Sequence, residues 1–122
     1  MKFPALLLFI SIFFSSCDKY HARKFSGTYY CQVHYYYWIM NQGILADTNY
    51  MEDIEIKREG KKLIVLENEV HIDSLWKDKE YFQGDAHNYL KVQFKNDKVY
   101  ITRSSGGLGG NASWKYVGVK QK

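Results

Sequence analysis

The stretch that decides the fold is TYYCQVHYYYWIM, residues 28–40. It is dense in Tyr, Val, Ile, Thr and Trp, the residues that suit a pleated, half-buried surface. In a strand, successive side chains point to opposite faces. One face then carries Tyr29, Cys31, Val33, Tyr35, Tyr37 and Ile39, and the other Tyr30, Gln32, His34, Tyr36, Trp38 and Met40. The odd-numbered face is the more apolar, so it is the face expected toward a core.

The same alternation continues down the chain. Strands are expected at Tyr50–Arg58 with Ile54 and Ile56 inward, and at Lys62–Ile72 with Ile64, Leu66, Val70 and Ile72 on one side. A short strand is expected at Glu80–Gln83. Tyr89–Lys95 follows with Leu90, Val92 and Phe94 inward, then Lys98–Arg103 with Val99 and Ile101, and finally Ser113–Lys120. Glu59-Gly60-Lys61 and Asn96-Asp97 read as tight turns. Asn41–Asn49 and the Gly-rich Ser104–Ala112 read as loops, and Asp73–Lys79 as a polar link. No segment after residue 25 repeats apolar residues at helical spacing. Seven or eight short strands joined by turns predict an all-β antiparallel meander. Curling that meander into a barrel removes its exposed edges.

Length and composition narrow the function. The 122 residues hold one domain, which leaves no room for a multidomain enzyme. Aromatics make up 17% of the chain and Pro occurs once, the opposite of a disordered composition. Lys and Arg number 17 against 13 Asp and Glu, but the signs alternate, as in Glu52-Asp53-Ile54-Glu55-Ile56-Lys57-Arg58-Glu59. Such mixing marks a solvated face, and no basic cluster points to a nucleic-acid partner.

The N-terminus reads as a processing signal. Lys2 is followed by ALLLFISIFF at residues 5–14, too short to span a bilayer and the right length for the apolar region of a signal peptide. Ser15-Ser16-Cys17 then resembles the end of a bacterial lipoprotein signal, although Phe14 stands where that pattern prefers an aliphatic residue. The resemblance implies cleavage after Ser16, diacylglycerol on Cys17, and acylation (typically palmitate) of the new N-terminus. Two or more acyl chains would anchor the protein stably. Domain organisation is therefore expected as signal peptide 1–16, lipidated tether 17–25 and β-barrel-like domain 26–122. The alternative is ordinary secretion, with Cys17 free to pair with Cys31. The chain also resembles small lipoproteins of Bacteroidota. The likeness lies in the aromatic first strand, Tyr29 to Trp38, and in the ending Trp114-Lys115-Tyr116-Val117-Gly118. That likeness implies the outer membrane, with Asp18 after the anchor, and it carries no activity. Gly27-Thr28-Tyr29 faintly resembles the first-strand start of the lipocalin-like calycins, which implies a late Arg, here Arg103, lying over the first-strand aromatic.

Candidates for chemistry are sparse. Cys31 and His34 fall on opposite faces of one strand, so they cannot form the nucleophile–base pair that a thiol enzyme needs. The four His, at 21, 34, 71 and 87, stand in no metal-binding spacing. Glu67, Glu69 and His71 share one predicted strand face, with the two carboxylates roughly 7 Å apart from the strand rise. That arrangement is open to a metal or a hydrolase, but any polar strand face shows it. Gly106-Gly107-Leu108-Gly109-Gly110 lacks the Gly-Lys-Ser/Thr of a phosphate loop. Asn111-Ala112-Ser113 matches an N-glycosylation sequon. Asp73-Ser74-Leu75 resembles the Bacteroidota O-glycosylation site, on Ser74. No cofactor, no metal and no catalytic residue is expected.

The aromatic even-numbered face gives the candidate binding residues Tyr30, His34, Tyr36 and Trp38, with Gln32 between them. Tyr and Trp combine large contact area with a polar tip, which suits sugar rings, small amphipathic ligands or an envelope protein. The competing reading is packing of this face beneath the 41–49 or 104–112 loop. The expected role is therefore non-enzymatic binding at the cell envelope. The rivals are a periplasmic inhibitor of a hydrolase such as lysozyme, whose usual disulfide and loop motifs are missing, and a structural accessory of an envelope complex.

Overall fold

A computed structural model describes residues 24–122. The signal peptide, Cys17, His21 and nearly all of the tether lie outside the described residues. The chain forms eight antiparallel strands: β1 Gly27–Ile39, β2 Gly43–Glu59, β3 Lys62–Val65, β4 Asn68–His71, β5 Tyr81–Gly84, β6 Tyr89–Lys95, β7 Lys98–Gly107 and β8 Gly110–Lys120. Their order is β4-β3-β2-β1-β8-β7-β6-β5. Each strand pairs with its sequence neighbour, and β8 returns to β1. The result is a meander curled into a nearly closed barrel. The seam between β4 and β5 is crossed by a 3-10 helix, Ile72–Asp78, which packs its buried Leu75 inward.

The alternation of β1 decides what is inside. Tyr29, Cys31 and Val33 are almost completely buried, whereas Tyr30 on the other face is 47% exposed. Cross-strand register carries this choice round the barrel. Val33 stands opposite Tyr116, which stands opposite Ile101, which stands opposite Val92. One level toward the N-terminal end, Cys31, Gly118, Val99 and Phe94 make the next inner row. Phe25, expected at the end of the tether, belongs to the core: its ring stacks on Phe94 at 4.6 Å, and its carbonyl accepts the Tyr29 hydroxyl at 2.8 Å.

Several expected boundaries are corrected. Residues 62–72 are not one strand but a hairpin turned at Leu66 and Glu67, whose φ angles are +48° and +69°. Asn68 Nδ2 donates to the Leu66 carbonyl at 2.8 Å and holds the turn. The turn reverses the chain, so Leu63 and Val65 face the core in place of the expected Ile64, while Leu66, within the turn, is half-buried and still packs against the core. A one-residue shift always exchanges the faces of a strand. Residues 41–49 are not a loop beyond the turn at 41–42: β2 begins at Gly43 and pairs with β1 from Gly43 to Ile56, with a bulge beside Tyr37 and Trp38. The Gly-rich segment is the β7–β8 hairpin. A Cβ at Gly106 would sit 2.4 Å from the Gly110 carbonyl oxygen, so glycine allows the two strands to close there. The 39–43 and 107–110 tips touch through Met40 N–H donating to Gly109 O at 2.9 Å. Met40, Ile44, Leu45 and Leu108 are exposed around them.

Gly118 marks the tightest point of the core. A Cβ there would meet Cys31 Sγ at 2.5 Å and Val99 Cγ1 at 3.0 Å. Overpacking of this kind costs about 1–3 kcal/mol. Gly118→Ala is expected to lower the unfolding free energy by that amount, read as a lower urea midpoint at an unchanged m-value. An unaltered midpoint would show that β8 does not press on β1 there.

Candidate functional site

Two surfaces offer candidate sites. The sequence-predicted residues Tyr30, His34, Tyr36 and Trp38 all lie on the outer face of the barrel. Neither segment expected to cover them does so, because 41–49 and 104–112 are strands of the same sheet. His34 Nε2 and Asp47 Oδ1 are 2.5 Å apart in a largely exposed pair, and the His34 and Tyr36 rings lie 6.3 Å apart. Tyr36 and Trp38 are half-buried. The stripe is thus one open surface flanked by Met51 of β2 and Val117 and Val119 of β8, all exposed.

The second surface is concave and lies inside. Only Lys57–Glu59 of β2 pair with β3, so the tip-side half of β2 has no neighbour on its outer edge. Thr48, Tyr50 and Glu52 share the inner side with Tyr35, Val33 and Cys31, yet all three are exposed. The filled core ends at the Val33–Tyr116–Ile101 row. Beyond it opens a cup of about 430 Å³ whose lining includes Asn68, Gln83, Asn88, Arg103, Ser105 and Trp114. Such a volume falls in the range of small-ligand pockets.

Register builds the wall of the cup. Trp114 stands directly between Tyr35 on β1 and Arg103 on β7. The Tyr35 and Trp114 ring centroids are 5.1 Å apart, and the Arg103 guanidinium carbon lies 4.3 Å from the Trp114 centroid on the other flank. The calycin expectation is corrected here. Arg103 lies over Trp114 and not over Tyr29, whose ring is turned into the core against Phe94. Arg103 also partly offsets the upward shift of the buried Tyr116 hydroxyl, which arises from burial and then from Tyr50 and Glu52.

The rim is a stapled turn. Asp85 Oδ1 accepts the Asn88 amide at 2.8 Å and the His87 amide at 2.9 Å. The Asn88 side chain exchanges two hydrogen bonds with the Gly106 backbone, at 3.0 and 3.1 Å. Ser104 Oγ donates to the His87 carbonyl at 3.0 Å and lies 3.1 Å from the Asn111 side-chain amide. Asn111, the sequon residue, is therefore engaged through its side-chain oxygen with Ser104. Ser74 is half-buried in the 3-10 helix.

The remaining candidates do not converge. Cys31 and His34 point to opposite faces, as the alternation requires. Burial, then Glu52 and Asp53, pushes the Cys31 thiol up to about 11, so it is a neutral thiol at physiological pH. Glu67 sits in a turn and Glu69 pairs with Lys62 at 3.2 Å. Among the described residues no three of His, Cys, Asp and Glu come close enough to hold a metal ion. Comparison of the chain with family models, with curated proteins and with solved structures finds no match.

The sequence reading missed the cup. Its residues come from five strands and a turn, and only the register of β7 against β8 sets Arg103 beside Trp114. The signal that was present is the pair of arms running past the core, Tyr35–Ile39 and Ser104–Ser113, with no charged residue in either.

The amide bonds from Asn88 and His87 hold the Asp85 carboxyl below the ordinary carboxylate range. A depressed value in the folded state stabilises the turn above the unfolded value, and that stabilisation is lost as pH falls through the folded one. Protection of the His87 and Asn88 amides from hydrogen exchange is therefore expected to collapse in acid. Asp85→Asn is expected to flatten this pH dependence. Protection that stays constant with pH in the natural chain would contradict the turn geometry.

Proposed function

We propose that the protein is a lipid-anchored binding protein of the cell envelope, without catalytic activity of its own, that takes a glycan unit or a small amphipathic ligand in the cup. The observation that carries the reading is the 430 Å³ cup, in which an indole, a guanidinium and several amides meet at an open end of the barrel. Rigid strands present these groups, which limits the ordering cost of binding. The non-enzymatic reading is supported by the separation of Cys31 from His34 and by the neutral Cys31 thiol. Lipid attachment at Cys17, with the outer membrane as its site, rests on the signal-like segment 1–17. The packed domain begins at Phe25, so a tether of about seven residues would join it to the anchor.

A second reading is favoured by the outer stripe. Tyr30, His34, Tyr36 and Trp38 lie beside exposed Met51, Val117 and Val119, and the apolar hairpin tips extend that surface. An envelope protein docking there is the matching partner. Both readings are compatible with one molecule, because the stripe lies on the outer face of β1 and the cup is lined by residues outside β1.

Two experiments test the proposal. Mass spectrometry of the mature protein is expected to show an acylated N-terminal Cys17, absent in Cys17→Ser; a free, unmodified Cys17 would overturn the anchor. For the cup, soluble glycan fragments and short-chain amphiphiles are titrated while tryptophan fluorescence is followed. At least one is expected to give a saturable change that Ser105→Trp, which fills the cup, abolishes with no loss of stability. A saturable change that persists in Ser105→Trp, or none with any ligand, would contradict binding in the cup.

A further inference from the structure

We infer that the ligand of the cup is a small polyhydroxylated molecule carrying one oxyanion, a carboxylate or a phosphate, and that Arg103 holds that group. The inference deepens the binding reading above and rests on it. Arg103 is the only charged residue among the described residues that line the cup. It is half-buried, and it makes no hydrogen bond or ion pair with another described residue. Its guanidinium carbon lies 4.3 Å from the Trp114 ring centroid. Trp114 is itself backed by Tyr35. The aromatic pair therefore fixes the guanidinium plane by a cation–π contact and leaves its edge N–H donors unspent. A planar fork held in this way matches the two oxygens of a carboxylate or phosphate.

The other polar groups of the cup are arranged for hydroxyls. Tyr81 donates to Gln83 Oε1 at 2.9 Å, which leaves the Gln83 Nε2 donors available. Asn68 spends its Nδ2 on the Val65 and Leu66 carbonyls, which leaves Oδ1 as an acceptor. Ser105 adds a hydroxyl. Donors and an acceptor around one cation suit an acidic sugar of one or two rings. An acyl chain would find only Leu90 and the Trp114 and Tyr89 rings as apolar surface.

The test uses the mature protein purified in mild detergent and isothermal titration with glucuronate, galacturonate, glucose 6-phosphate, glucose, galactose and inorganic phosphate. At least one acidic sugar is expected to bind about tenfold to a hundredfold tighter than its neutral parent, from the strength of hydrogen bonds to charged groups. Arg103→Gln is expected to erase that ratio. Arg103→Lys, which keeps the charge and loses the fork, is expected to retain only part of it. Unchanged unfolding midpoints in both variants separate this from a packing role for Arg103. Tighter binding of the uronates assigns a carboxylate; tighter binding of glucose 6-phosphate than of both glucose and inorganic phosphate assigns a sugar phosphate. Equal affinity for acidic and neutral sugars, failure of every acidic sugar to bind, or a ratio that survives Arg103→Gln would overturn the inference. The broader reading fails separately. If a neutral ligand still binds and Ser105→Trp blocks it, the cup remains a binding site without oxyanion selection.

Discussion

The contact on which the barrel depends is the meeting of Cys31 with Gly118 beneath Val99. β1 is hydrogen-bonded to a neighbour on both sides from Tyr29 to Ile39, so its faces cannot be exchanged without breaking two ladders at once. Placing Tyr29, Cys31 and Val33 inside requires Tyr116 and Gly118 of β8 to face the same interior, and then Val99 and Ile101 of β7. The absence of a side chain at Gly118 lets β8 approach the thiol. The inner rows of the whole meander follow from that one strand.

The same geometry explains why one end of the barrel is filled and the other is not. β3 and β4 have four residues each, enough to cover the core rows but not the tip-side half of β2. The long strands β1, β2, β7 and β8 continue beyond the core, and their inner faces run out of opposing wall. Tyr35, Trp114 and Arg103 occupy the first row past that limit. They are consequently aligned by sheet register on one side and open to solvent on the other. The candidate site is the unfilled continuation of the core rather than an attachment to it.

The parts of this architecture legible in the sequence are those that depend on alternation alone. The buried face of β1, the extent of β6 at Tyr89–Lys95, the inward Ile54 and Ile56, and the turns at Gly60 and Asn96 were all readable, because Gly and Asn mark positive φ and apolar residues mark the inner side. The turn at Leu66-Glu67 was not, since neither residue advertises a left-handed conformation. Missing it placed Ile64 on the wrong face. The Gly-rich segment misled in the opposite sense: glycines signal flexibility and close strand approach with the same letter, and here they serve approach. The outer stripe Tyr30, His34, Tyr36 and Trp38 was legible as a surface. The cup was not, because Trp114 and Arg103 are eleven positions apart in a chain whose pairing register no local pattern reveals.

The account stands on which face of β1 is inside, and thiol labelling measures that directly. In a chain carrying Cys17→Ser, alkylation of native Cys31 is compared with alkylation of a cysteine introduced by Gln32→Cys in a Cys31→Ala background. Cys31 is fully buried and its thiol is held neutral, whereas position 32 faces solvent. Cys31 is predicted to resist the reagent until the protein is unfolded, and the cysteine at position 32 to react at the rate of an exposed thiol. Equal rates, or faster reaction at Cys31, would contradict the alternation from which the barrel, the cup and the outer stripe are all derived.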